Sequence, residues 1–110
     1  MNSLENVSMI GLKGIWEKLG KGEVILDVRG RDEFSEGHVP GAINIPHDEV
    51  SKRADQLRGY GKIYIHCRSG KRSQLAFADL DKQGLKNLVC ISDGGMLDWE
   101  AAGFPVKKGT

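Results

Sequence analysis

Three shortages frame this chain of 110 residues. It has two cysteines, Cys67 and Cys90, far apart and with no second cysteine at CxxC spacing. A disulfide framework is not expected, and a free thiol is the first reading. It has almost no imbalance of charge: 16 Lys and Arg against 15 Asp and Glu leave a formal net charge of +1. No global field points to nucleic acid or to an anionic membrane, so any basic residue that matters must act locally. It also lacks an apolar run long enough to span a bilayer. The stretch Met1 to Gly11 has neither a basic n-region nor an apolar h-region. No secretory signal is therefore expected, and the cytoplasm is the default compartment.

What is present is ordinary for a globular protein, with 39% hydrophobic and 28% charged residues. The length suits one domain over residues 1–110. Apolar bursts alternate with helix-like segments. Val24 to Val28 is a β-branched run between Gly22 and Gly30 and reads as a buried strand. Ala42 to Ile45, Lys62 to His66 and Leu88 to Ile91 read as three more, and Ser8 to Ile10 as a weak edge strand. Leu12, Ile15, Trp16 and Leu19 form a helical stripe. His47 to Leu57 reads as a more polar surface helix. Ser73 to Gln83 precedes Gly84, which stands where a helix stops, and Gly94 to Ala102 is a further helix. Strands alternating with helices predict an α/β domain with a mostly parallel sheet. Ligands of such sheets bind at the carboxyl ends of strands.

That rule directs attention to Cys67-Arg68-Ser69-Gly70-Lys71-Arg72, which joins the third strand to the helix from Ser73. The thiolate is the nucleophilic form of cysteine. A helix N-terminus offers unpaired N–H groups and partial positive charge. Arg68, Lys71 and Arg72 add cations, and Gly70 permits a tight turn with inward amides. The loop therefore suits a thiolate meeting a small anion. It fails a Walker A pattern twice, with Ile65 where glycine is needed and Arg72 where Ser or Thr is needed. It also falls one residue short of the H-C-x5-R loop of cysteine phosphatases, since only four residues separate Cys67 from Arg72.

Four segments in order resemble the rhodanese family. Ile25-Leu26-Asp27-Val28-Arg29 is similar to its D-x-R strand end. The run from Glu33 to Pro46, containing Gly37-His38-Val39-Pro40-Gly41-Ala42, is similar to its long signature. The loop from His66 to Ser73 matches its active loop. Gly94-Gly95, Trp99 and Gly103-Phe104-Pro105-Val106 are similar to its closing segment. The resemblance implies a five-stranded, mainly parallel sheet flanked by helices on both faces. It implies a sulfurtransferase in which Cys67 takes the outer sulfur of thiosulfate or of a persulfide donor. The sulfur would pass to cyanide or a thiol, with a protein donor or acceptor also open. Arg68, Ser69, Gly70, Lys71 and Arg72 would bind the substrate. Asp27, Arg29 and Ser73 would be structural neighbours of the site. No cofactor and no metal is called for, and neither nucleic acid nor membrane is an expected partner.

Two rival readings keep the same thiol: a sulfur carrier or oxidation sensor that docks to a partner protein, and a phosphatase or arsenate reductase, against which the short loop argues. His38, His47 and His66 lack metal-ligand spacing. His38 is expected to bond backbone in its turn, and His66 to face away from Cys67 by strand alternation. Cys90 reads as a small buried hydrophobe. Trp16 and Trp99 read as core or rim aromatics, Trp99 as a candidate pocket wall, and Lys107-Lys108 as a solvated tail.

Overall fold

A computed structural model of the chain describes residues 7–110. Its first helix, α1 (Met9–Glu17), starts because Ser8 caps it: the Ser8 hydroxyl accepts the Gly11 N–H at 2.9 Å. The expected edge strand at Ser8–Ile10 is therefore not formed. All that remains of it is a single parallel bridge from Ser8 to Asp93. The sheet accordingly has four strands among the described residues rather than five: β1 (Glu23–Asp27), β2 (Ile43–Asn44), β3 (Lys62–His66) and β4 (Leu88–Cys90). Their order is β2-β1-β3-β4 and every pairing is parallel.

The strands alternate their faces, and each face has its own core. Val24, Leu26, Ile63, Ile65 and Leu88 pack with Ala76 and Leu80 of α3 (Lys71–Lys82) and with Val50, Ala54 and Leu57. Ile25, Tyr64, Val89 and Ile91 pack with Met9 and Leu12 of α1 and with Met96 and Trp99 of the last helix (Met96–Ala101). Leu26, Ile65, Leu80 and Met96 are completely or almost completely buried. Each such side chain stabilises the fold by about 1.5–3 kcal/mol through removal from water.

Two further segments depart from expectation. The stretch His47–Leu57 is a series of turns ending in a 3-10 helix, Ala54–Leu57. Val50, Ala54 and Leu57 are buried at helical spacing, but the neighbouring Asp48, Ser51, Lys52 and Arg53 contribute little apolar burial to hold a regular helix. A short helix, Arg31–Glu36, forms where no stripe predicts one; Phe34 is its single buried residue. In chain order the helices are therefore α1, α2 (Arg31–Glu36), α3 and α4 (Met96–Ala101). The cation pair near the end is also held at one position. Lys107 and His38 exchange backbone hydrogen bonds of 2.9 Å in both directions. No helix among the described residues is long and apolar enough to cross a membrane.

The parallel arrangement brings three strand exits to one edge: Val28–Gly30 after β1, Cys67–Gly70 after β3, and Ile91–Gly95 after β4.

Candidate active site

Cys67 is the first residue past β3 and lies on the same face as Ile65, toward α3. Its exposure is 1%, so the sulfur is recessed. The loop then folds back over it. The Gly70 N–H donates to Cys67 Sγ at 3.1 Å. Gly70 has φ +108° and begins α3, which directs the first amides of that helix at the sulfur. A side chain at Gly70 would run into the Ser92 carbonyl, so the turn requires glycine twice over, for conformation and for space.

Burial by itself would push the Cys67 thiol up. The Ser73 amide, the Ser73 hydroxyl, and the Gly70 and Ser69 amides outweigh it and bring the thiol below its ordinary value. The stabilisation is thus mainly one of oriented N–H groups. The Ser73 hydroxyl has a single proton, for which the Gly70 carbonyl at 3.0 Å and the Ile91 carbonyl at 2.8 Å also compete. Amides are therefore the steadier donors to sulfur.

The three loop cations do not act alike. Arg72 is held by Glu33 through two hydrogen bonds of 2.6 and 2.9 Å. That bond lowers the Glu33 carboxyl to about 2. Glu33 also accepts the Gly30 N–H at 3.1 Å, so one carboxylate caps α2 and anchors the Cys67 loop. Arg68, Ser69 and Lys71 are exposed.

Beneath the loop lies a buried clamp. Arg29 and Asp27 form an ion pair at 2.7 Å with 5% and 0% exposure. Asp27 also accepts the Arg29 N–H, and Arg29 Nη2 donates to the Gly37 carbonyl at 2.7 Å. Asn44 Nδ2 donates to the carbonyls of both Asp27 and Arg29. These bonds fix the exit of β1 and leave the Arg29 guanidinium committed. His66 is fully buried on the clamp's side. Its Nδ1 lies 3.2 Å from the Cys67 carbonyl, while Nε2 has no hydrogen-bond partner and sits 3.9 Å from Asp27 Oδ2. Burial, outweighing the Asp27 charge, lowers the His66 imidazole and keeps it neutral near pH 7.

The Gly94-Gly95 pair closes the loop from the other side. The Met96 N–H donates to the Cys67 carbonyl at 2.8 Å, and the Leu97 N–H to the Arg68 carbonyl at 3.3 Å. A side chain at Gly95 would collide with those same two carbonyls.

The family model of the Rhodanese-like domain matches residues 12–102 of this sequence. The chain belongs to that family. A relative in Bacillus subtilis, named "Putative sulfur carrier protein YrkF", is 41% identical over 89% of this chain; the chain spans about half, 55%, of that protein's length. "Thiosulfate sulfurtransferase 16, chloroplastic" of Arabidopsis thaliana is 38% identical over 78% of this chain and 81% of that protein. The crystal structure of a rhodanese-related protein from Thermoplasma volcanium superposes with a TM-score of 0.78 at 30% identity, covering 94% of this chain and 97% of that one.

Of the expected site residues in this rhodanese-like domain, the structure brings Ser69, Gly70 and Ser73 to the Cys67 sulfur, turns Arg72 to Glu33, leaves Arg68 and Lys71 exposed, and pairs Asp27 with Arg29. Trp99 is not a pocket wall. It is completely buried, donates to the Pro105 carbonyl at 2.6 Å, and stacks edge-on with Trp16 and Phe104. Cys90 is half-buried rather than closed in the core; with Val7, Ser8, Ser92 and Asp93 it borders a cavity of about 440 Å³. Residue reasoning missed the pairing of Glu33 with Arg72. Glu33 stands within the matched signature, but nothing local points to a partner 39 residues away.

Proposed function

We propose that this domain is a sulfurtransferase that carries a sulfane sulfur on Cys67. The observation that carries the reading is the Gly70 N–H aimed at Cys67 Sγ from 3.1 Å, at the junction of β3 and the N-terminus of α3. A thiolate held there attacks the outer sulfur of thiosulfate. The S–S bond breaks, its electron pair leaves with sulfite, and Cys67 becomes a persulfide. The loop amides that stabilise the thiolate then stabilise the terminal sulfur's charge, as donors in an oxyanion hole do. An acceptor, cyanide or a thiolate, attacks that terminal sulfur and returns the pair to Cys67. The loop amides lower the Cys67 thiol without a general base, and buried His66, whose Nδ1 lies against the Cys67 carbonyl, is not placed as one. Asp27 and Arg29 hold the β1 exit, and Glu33 with Arg72 holds the loop.

Intact-mass spectrometry after incubation with thiosulfate tests the reading. The expected result is a gain of one sulfur atom in the parent chain and none in Cys67→Ser. An equal gain in both would refute it.

The name of the Bacillus subtilis relative favours a second reading, in which Cys67 relays sulfur between proteins instead of turning over thiosulfate. Persulfide formation from a protein persulfide donor, with none from thiosulfate, selects it.

A further inference from the structure

We propose that Gln74 is a positioning residue for the Cys67 nucleophile: it saturates the Gly70 carbonyl and so leaves the Ser73 hydroxyl to donate to the sulfur. The inference rests on the sulfurtransferase reading above for the use made of that thiolate.

Three donors converge on the Gly70 carbonyl oxygen. Gly70 is the N-cap of α3, and its carbonyl accepts the first intrahelical bond, from the Gln74 N–H four residues on. The side chain of the same residue folds back on the same oxygen, with Gln74 Nε2 donating at 2.8 Å. The Ser73 hydroxyl is the third donor, at 3.0 Å.

A carbonyl oxygen has two lone pairs. The main-chain and side-chain amides of Gln74 fill both, which makes the hydroxyl the surplus donor. The hydroxyl is also the one that can turn elsewhere, because its proton rotates about the C–O bond. Two other acceptors lie within its reach. One is the Ile91 carbonyl at 2.8 Å, and the other is the Cys67 sulfur, which it helps to hold as thiolate.

Charge on sulfur decides between them. A hydrogen bond to a thiolate, or to the charged end of a persulfide, is charge-assisted and stronger than one to a neutral carbonyl. With Gln74 in place, the sulfur competes for the Ser73 proton against Ile91 alone. Without Gln74 Nε2, the buried Gly70 carbonyl has a vacant lone pair and becomes a second competitor, since a buried acceptor left without its donor is costly. Gln74 thus acts on Cys67 through Ser73 and touches neither sulfur nor substrate.

The position suits mutation. Gln74 is exposed on α3, and Gln74→Met keeps the length and helix preference of the side chain while removing the donor. The test follows alkylation of Cys67 by iodoacetamide across pH in the parent, Gln74→Met, Ser73→Ala and the double variant. In Gln74→Met the profile should move to higher pH. Below the midpoint the rate should fall by about two- to fivefold, as for the loss of part of one hydrogen bond, and at high pH it should match the parent. In the Ser73→Ala background the same change should add nothing, because the hydroxyl through which Gln74 acts is gone. A Gln74→Met profile that superposes on the parent overturns the inference. So does slowing by one factor at every pH, or an equal shift with and without the Ser73 hydroxyl. Failure of the parent chain to take sulfur from thiosulfate would instead overturn the sulfurtransferase reading, and the alkylation profiles decide the role of Gln74 separately.

Discussion

Cys67 and Cys90 sit on the same face of neighbouring strands, yet their thiols move in opposite directions. Ile65, two residues before Cys67, is the register partner of Cys90. Burial raises both thiols. At Cys90 it prevails over the Ser73 hydroxyl, and a charge at Cys67 pushes in the same direction. At Cys67 it is overcome by the amides of Ser73, Gly70 and Ser69 and by the Ser73 hydroxyl. The difference lies in the backbone immediately C-terminal to each cysteine. Past Cys67 the chain turns at Gly70 into a helix whose first N–H groups converge on sulfur. Past Cys90 it runs on through Ile91 to Asp93 with no helix start aimed back. A strand end becomes reactive through its loop, and neither burial nor the presence of cysteine is enough.

The contrast between the two thiols breaks hardest at the frame beneath them. Arg29→Gln leaves Asp27 charged, buried and unpaired, and should cost about 3–5 kcal/mol in urea unfolding. Next comes Gly70→Ala. A side chain there meets the Ser92 carbonyl at a positive φ, which should cost about 1–3 kcal/mol. Its alkylation profile should shift so that Cys67 titrates closer to Cys90, a change readable by peptide mass spectrometry. Ser73→Ala sharpens the contrast. It removes a hydroxyl bonded to two carbonyls and should cost about 1 kcal/mol. Both thiols should rise, since that hydroxyl lowers each of them.

The smallest effect is expected at Glu33. Its carboxyl is depressed to about 2 from the ordinary 4.5, chiefly by Arg72. A depressed carboxyl stabilises the fold above its unfolded value and loses that contribution as pH falls through its folded value. Stability should therefore decline between about pH 4.5 and pH 2 more in the parent than in Glu33→Gln. The pair is partly exposed, so screening limits the difference to about 1 kcal/mol or less. Acid titration followed by circular dichroism reads it.

The strands and the Cys67 loop are legible because their signals are local: β-branched runs, a cysteine at a strand end, and a glycine before a helical stripe. The family resemblance carried the rest of the frame, but it also implied a fifth strand. Ser8 has equal claim to a helix cap, and that option prevailed because Met9 and Leu12 bury themselves from α1. The helix Arg31–Glu36 escaped notice because six residues with one buried side chain have no period to read. The fates of the cations were hidden for another reason. Arg72 looks as free as Arg68 until the fold brings Glu33 to it. The close approach of Gly95 to the Cys67 and Arg68 carbonyls is likewise tertiary, although the glycine pair marks it.

The most direct test is the pH dependence of alkylation at the two cysteines, followed peptide by peptide in one protein. Cys67 is expected to react at a pH below the ordinary thiol range, and Cys90 above it. Equal profiles, or Cys90 reacting at the lower pH, would contradict the claim that the Cys67 loop makes its thiolate.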